Sequence, residues 1–138
     1  MIRLIERLAF LALLVSVIAL TITSLPLTWE THLQGGWLMA HMMSSGLMVV
    51  ALPLFAIARL LPAIERQGQA ALHRFAFWCV VVLGTLTIAT MFACMLPIAS
   101  TEELSRLISL HGLVGIATSI ATLVVLVSRF AAPRQVKD

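Results

Sequence analysis

Long apolar stretches alternate with short polar ones along the chain, and this pattern predicts four helices. Leu, Val, Ile, Ala and Met dominate each apolar stretch over more than 20 positions. About 20 such residues in a helix are enough to cross the hydrocarbon core of a bilayer. We therefore expect transmembrane helices near residues 5–25, 37–61, 73–98 and 104–128. Because the connections are short, neighbouring helices should run antiparallel.

The composition favours a membrane protein over a soluble one. The 138 residues are 61% hydrophobic and 11% charged, whereas a soluble domain carries about 25% charged residues. A soluble core of this size could not bury so much apolar surface, so the bilayer must be the solvent for most of the chain. No linker or repeat divides the sequence. It predicts one all-α domain over residues 1–138, an integral membrane four-helix bundle.

The start of the chain, "MIRLIER", resembles the basic region of a secretory signal peptide. The apolar run that follows is longer than a signal peptide needs, and no A-x-A cleavage site is evident. We therefore expect the first stretch to be retained as a transmembrane helix.

The distribution of charge predicts the direction of the helices. Basic residues lie at the N-terminus, around the second connection and in the tail: Arg3, Arg7, Arg59, Arg66, Arg74, Arg129, Arg134 and Lys137. The other two connections hold Glu30, Glu102, Glu103 and only Arg106. The positive-inside rule then places both termini in the cytoplasm. The net charge of +3 therefore reflects topology, and we expect a multi-pass protein of the bacterial inner membrane with no nucleic-acid partner.

Two of the four histidines lie inside predicted spans. His41 is about 6 Å along the second span and His111 about 10 Å along the fourth, both measured from the predicted outer ends. Ionisable residues inside a membrane are rare and usually functional. The other two, His32 and His73, lie at predicted helix ends, where a solvated interfacial position is the simplest interpretation.

A histidine pair at similar depth on two helices fits the axial ligation of haem iron, which takes imidazoles from opposite faces of the porphyrin. Small residues near the pair would open a slot for the flat macrocycle, chiefly Ser45, Gly112 and Gly115. Small residues also occur at ordinary helix contacts in membranes, so only their combination with the histidines favours haem. We expect His41 and His111 to bind the iron of one haem b. Arg106, just over one turn before His111, is a candidate partner for the haem propionates.

Two other interpretations of the pair stay open. His41 and His111 could hydrogen-bond to each other or to loop backbone without any cofactor. The second interpretation is a copper site, because Met91, Cys94 and Met95 lie at the predicted outer end of the third span. Methionine at helical spacing, however, more often fills gaps in a core.

At "LISLHGLVG" and "GGWLMAHMMSSG" the chain resembles four-helix membrane b-type cytochromes, which include the formate dehydrogenase gamma subunit and bacterial cytochrome b561 groups. The resemblance implies that helices 2 and 4 each give one histidine, here His41 and His111, to the haem nearer the outer face. Such cytochromes usually hold a second haem near the inner face. The first span has no histidine, and neither does "ATLVVLV" below His111, so we expect a single haem.

These observations predict an electron-transfer subunit rather than a stand-alone enzyme. Through one bis-histidine haem b in the outer leaflet, it would relay electrons between the quinone pool and a periplasmic c-type cytochrome or iron–sulfur protein. Quinone is a further candidate ligand, and other subunits of a membrane redox complex are expected partners. The alternative is a non-redox accessory or transporter subunit of a larger membrane complex.

Overall fold

The computed structural model describes residues 2–25, 35–63, 71–97 and 100–131. They form four α-helices: α1 (Ile2–Ser24), α2 (Gly35–Ala63), α3 (Ala71–Met95) and α4 (Thr101–Ala131). Each of the four is long and apolar enough to cross a membrane. The predicted all-α class and the four candidate spans are confirmed, and every helix begins two or three residues earlier than expected.

The helices pack as two hairpins, α1 with α2 and α3 with α4, and contacts between the hairpins are much sparser. Within each hairpin the helices run antiparallel, as the short connections predicted. We call the end of the bundle that contains the C-termini of α1 and α3 the histidine end. The opposite end, with the N-termini of α1 and α3, is the arginine end.

The core lies along the contact between all four helices. Its fully buried side chains include Leu13, Phe55, Val80 and Val125, one from each helix. Phe55 packs against Phe10 with ring centroids 5.6 Å apart and thereby joins α1 to α2. Large apolar side chains cover most of the outside as well. An apolar exterior around an apolar core suits a lipid environment rather than water.

A capping box fixes the start of α4. The Ser100 backbone N–H donates to Oε2 of Glu103 at 2.8 Å, and the Glu103 N–H donates back to the Ser100 hydroxyl at 3.3 Å. This reciprocal pair satisfies two backbone donors that the first turn leaves unpaired. It explains why α4 begins at Thr101 rather than near residue 104.

Several predictions from the sequence concern residues outside the described ranges. The charges that predict topology lie partly there, at 26–34, 64–70 and 132–138, and so does His32. The cytoplasmic position of both termini therefore stays a prediction. Proline inside a helix typically bends it, and α2 continues as one helix through the exposed Pro53.

Candidate functional site

His41 and His111 meet at the histidine end of the bundle. His41 is in the second turn of α2 and His111 in the third turn of α4, so each hairpin contributes one ring. The ring centroids are 6.5 Å apart, and the ring planes are inclined at 77°. Both side chains are half-buried. The structure thus brings together the two histidines that the sequence predicts at similar depth.

Each ring is held by its own hairpin through Nδ1. His41 Nδ1 lies 3.0 Å from the Thr23 hydroxyl oxygen on α1. His111 Nδ1 lies 3.1 Å from the Thr90 hydroxyl oxygen and 3.1 Å from the backbone carbonyl oxygen of Thr87, both on α3. The two threonines were not predicted as part of the site.

The histidines do not hydrogen-bond to each other. Among the described residues, no hydrogen bond reaches Nε2 of His41 or His111. A direct bond between the two rings therefore has no support in the described part of the chain, whereas a bond from a histidine to backbone is present at His111. Both Nε2 atoms remain available to a ligand.

A cavity of about 470 Å³ adjoins both rings, within the 300–1,000 Å³ typical of sites for small molecules and cofactors. Of the predicted site residues, His41, Ser45, His111, Gly112 and Gly115 all line it. The rest of the lining is mainly apolar: Val17, Leu20, Leu25, Met48, Ile88, Met91, Ile108, Ile116 and Ile120, together with Thr21, Ser24, Thr87, Thr118 and Ser119. The exposed lining residues lie on α1, at Leu25 directly after it, and on α4, whereas those from α2 and α3 are buried or half-buried. The cavity is therefore most exposed on the side of α1 and α4, where the hydroxyls of Thr21 and Ser119 are hydrogen-bonded at 2.9 Å.

The two glycines of α4 leave part of this space open. A Cβ atom added at Gly112 or Gly115 would meet nothing within 4 Å. Gly84 on α3 is different, because a Cβ there would lie 2.8 Å from Cδ2 of Leu52 on α2. Gly84 thus permits close helix packing, while Gly112 and Gly115 border the cavity.

The structure places Arg106 away from the cavity lining. Its guanidinium donates to the Glu102 carboxylate at 2.6 Å, one turn earlier on α4, and both side chains are more than three-quarters exposed. It lies toward the histidine end but does not contact the histidine pair.

The alternative copper site gains little from the geometry. Met91 lines the cavity, but Cys94 and Met95 do not. In the described part of the chain, no group of three or more His, Cys, Asp or Glu side chains is arranged to hold a metal ion. The possible donors at the cavity are the two imidazoles and the Met91 thioether, fewer protein ligands than a copper or zinc site takes without a macrocycle.

A second polar cluster, at the arginine end, takes one residue from each helix. Arg59 donates to the carboxylate of Glu6 and to Nε2 of His73, and His73 Nδ1 lies 2.8 Å from the Ser128 hydroxyl oxygen. The interpretation of His73 as a solvated interfacial residue is therefore wrong, because its ring bridges the hairpins and is half-buried. Its position near a helix end concealed this role, since Glu6 and Ser128 are far away in sequence.

Comparisons with protein family models, with curated proteins and with solved structures gave no significant match.

Proposed function

We propose that the chain is a membrane b-type cytochrome subunit that holds one haem b between His41 and His111. In this proposal it lies in the bacterial cytoplasmic membrane with both termini inside, and the haem lies in the outer leaflet. It relays electrons between the quinone pool and a periplasmic c-type cytochrome or iron–sulfur protein. Other subunits of a membrane redox complex would carry any substrate chemistry.

The separation of the two imidazoles is the observation that carries the proposal. Because a metal–imidazole nitrogen bond is about 2.0 Å long and that nitrogen lies about 1 Å from the ring centre, two imidazoles on opposite sides of one metal have centres about 6 to 6.5 Å apart. The centroids of His41 and His111 are 6.5 Å apart. Ordinary ring contacts cover about 4.5–7 Å as well, so the spacing supports the proposal together with the two Nε2 atoms, to which no hydrogen bond from the described residues is directed.

The surroundings of the pair also fit a porphyrin. The cavity is lined mainly by aliphatic side chains, which suit the apolar faces of the macrocycle and keep water from the iron. Gly112 and Gly115 leave open space next to His111, where larger side chains would occupy the slot. The exposed side of the cavity, at α1 and α4, allows one edge of a bound ring to face lipid.

A bound haem b supplies one-electron redox chemistry through its iron, and the protein controls position and potential. His41 and His111 would provide the two axial nitrogens. The helices hold the two rings with their centroids 6.5 Å apart, and the aliphatic lining lowers the local dielectric. If both imidazoles bound the iron, they would favour electron relay over catalysis at the metal.

The colour of the purified protein tests this proposal directly. After expression with an adequate haem supply, we expect a reduced-minus-oxidised spectrum with a b-type α band. A pyridine haemochrome assay should give one haem per chain. A colourless preparation that is folded and monodisperse in detergent would support the non-redox accessory role instead, and two haems per chain would contradict the single-site assignment.

A further inference from the structure

The threonine hydroxyls beside the two histidines each direct their single proton elsewhere. Thr23 Oγ1 lies 2.8 Å from the Ala19 carbonyl oxygen and 3.1 Å from that of Leu20. Thr90 Oγ1 lies 2.9 Å from the Leu86 carbonyl oxygen and 3.0 Å from that of Thr87. A hydroxyl and a carbonyl at these distances need a proton between them, and the carbonyl cannot supply it. Each hydroxyl oxygen therefore faces its histidine as an acceptor.

This assignment fixes which ring nitrogen carries the proton. A neutral imidazole has one donor nitrogen and one acceptor nitrogen. Facing an acceptor hydroxyl, Nδ1 of His41 must be the donor. For His111 the Thr87 carbonyl oxygen requires the same tautomer independently of Thr90. In both rings the lone pair is then on Nε2, the nitrogen with no hydrogen bond to the described residues.

We propose that Thr23 and Thr90 are positioning residues that hold His41 and His111 as Nε2 ligands before any group binds, and that Thr23 is the more critical of the two. His111 keeps the Thr87 carbonyl when Thr90 is changed, whereas His41 has Thr23 as the partner of its Nδ1. That a haem is the bound group rests on the proposed function, but the tautomers do not.

The proposal predicts an unequal response to removal of the two hydroxyls. Outer partners of a metal-bound histidine typically contribute 10–100-fold to metal affinity. Thr23→Val should therefore weaken haem binding by about 10–100-fold, and Thr23→Ser should restore it. Thr90→Val should change the affinity by less than about threefold, because the carbonyl acceptor remains. Thr85→Val is the matched control, since Thr85 is an exposed residue of α3 whose hydroxyl donates to the Val81 carbonyl at 2.7 Å, away from both rings.

The test combines imidazole ¹⁵N NMR of the haem-free full chain in micelles at mildly alkaline pH with haem titration of the same variants. We expect Nδ1–H on both histidines of the parent protein. A mixed tautomer should appear at His41 in Thr23→Val, and no change at His111 in Thr90→Val. Circular dichroism and gel filtration should show that each variant keeps its helical content and monodispersity.

Three results would overturn the proposal: Nε2–H on either histidine of the parent, an unchanged His41 tautomer in Thr23→Val, or a loss in Thr90→Val equal to that in Thr23→Val. If no variant binds haem although the tautomers behave as expected, the proposed function fails and the positioning role of the threonines stands. If haem binds but the histidines carry their protons on Nε2, the positioning role of the threonines fails and the proposed function stands. The NMR measurement therefore decides the proposal even when the titration gives no signal.

Discussion

Arg59 of α2 donates a hydrogen bond to Nε2 of His73 on α3, and this contact joins the two hairpins at the arginine end. The same guanidinium forms an ion pair with Glu6, and both charged side chains are less than 15% exposed. His73 continues the network to Ser128 on α4. The hairpins, whose mutual contact is otherwise sparse, are thus linked by a buried polar network at the end opposite His41 and His111.

Arg59→Ala should destabilise the bundle strongly. The change removes the ion pair to Glu6 and the hydrogen bond to His73 together, and breaking a buried ion pair typically costs about 3–5 kcal/mol. We expect a loss of this order in the free energy of unfolding, measured by denaturant titration in mixed micelles. The matched control is Arg106→Ala, which removes an exposed ion pair to Glu102 and should change the same quantity by less than about 1 kcal/mol. Equal losses in the two variants would show that the Arg59 network does not hold the hairpins together.

His41→Ala and His111→Ala should each abolish the bound haem or convert it to a high-spin form. Each substitution removes one of the two proposed iron ligands, while the other wall of the cavity stays intact. Absorption and electron paramagnetic resonance spectra of the purified variants measure this. His73→Gln is the control at the other end of the bundle, since a glutamine side chain can still accept from Arg59. It should leave the low-spin spectrum unchanged, and so should His32→Ala. Loss of haem in His73→Gln with retention in His111→Ala would rule out the assigned ligands.

Gly115→Leu should lower haem occupancy by filling the cavity. A side chain at Gly115 would extend into open space beside His111, where the porphyrin is expected. Gly46→Leu adds the same side chain at an exposed α2 position that is also free of close contacts but does not line the cavity. Leu123→Ala changes an exposed side chain deeper on α4. Haem content per chain should fall markedly only in Gly115→Leu, and a larger fall in Leu123→Ala would contradict a slot at this level.

Gly84→Ala should destabilise the contact between α2 and α3. The added Cβ would lie 2.8 Å from Leu52 Cδ2 and 3.4 Å from Met48 Cε, and Leu52 is buried. Overpacking of this kind typically costs about 1–3 kcal/mol. Shortening the obstructing side chain in the double variant Gly84→Ala with Leu52→Val should recover part of the loss in the free energy of unfolding. If the double variant loses as much free energy of unfolding as the two single variants together, the contact between the added Cβ and Leu52 is not the source of the destabilisation.

The sequence was sufficient to predict the helices and the histidine pair. Apolar stretches of this length have few alternatives to membrane helices, so the four elements follow from the pattern. His41 and His111 were detectable because an imidazole in an apolar helix is rare and their depths could be compared by counting residues. Ser45, Gly112 and Gly115 follow from them, since small residues near a ligand lie on adjacent turns of the same helix.

The partners of these histidines could not be predicted in the same way. A threonine in an apolar helix commonly bonds to its own backbone, as Thr85 does, so nothing in the sequence distinguishes Thr23 and Thr90 from it. Their roles depend on which helices pair and on their relative rotation. The burial of Arg59 could not be predicted from the sequence either. Its position near a helix end suggested a topology signal, whereas the fold buries it against Glu6.

The orientation of the bundle predicts the side from which the haem is reduced. If both termini are cytoplasmic, the histidine end faces the periplasm, and His41 and His111 lie within about three helical turns of that surface. Most of the length of the helices then lies between the haem and the cytoplasm.

In sealed vesicles of known orientation, a membrane-impermeant reductant should reduce the haem quickly when it is added on the periplasmic side. From the cytoplasmic side, reduction should be slow until the vesicles are permeabilised with detergent. Equal or faster reduction from the cytoplasmic side, with no quinone present, would show that the predicted topology or the assigned haem depth is wrong.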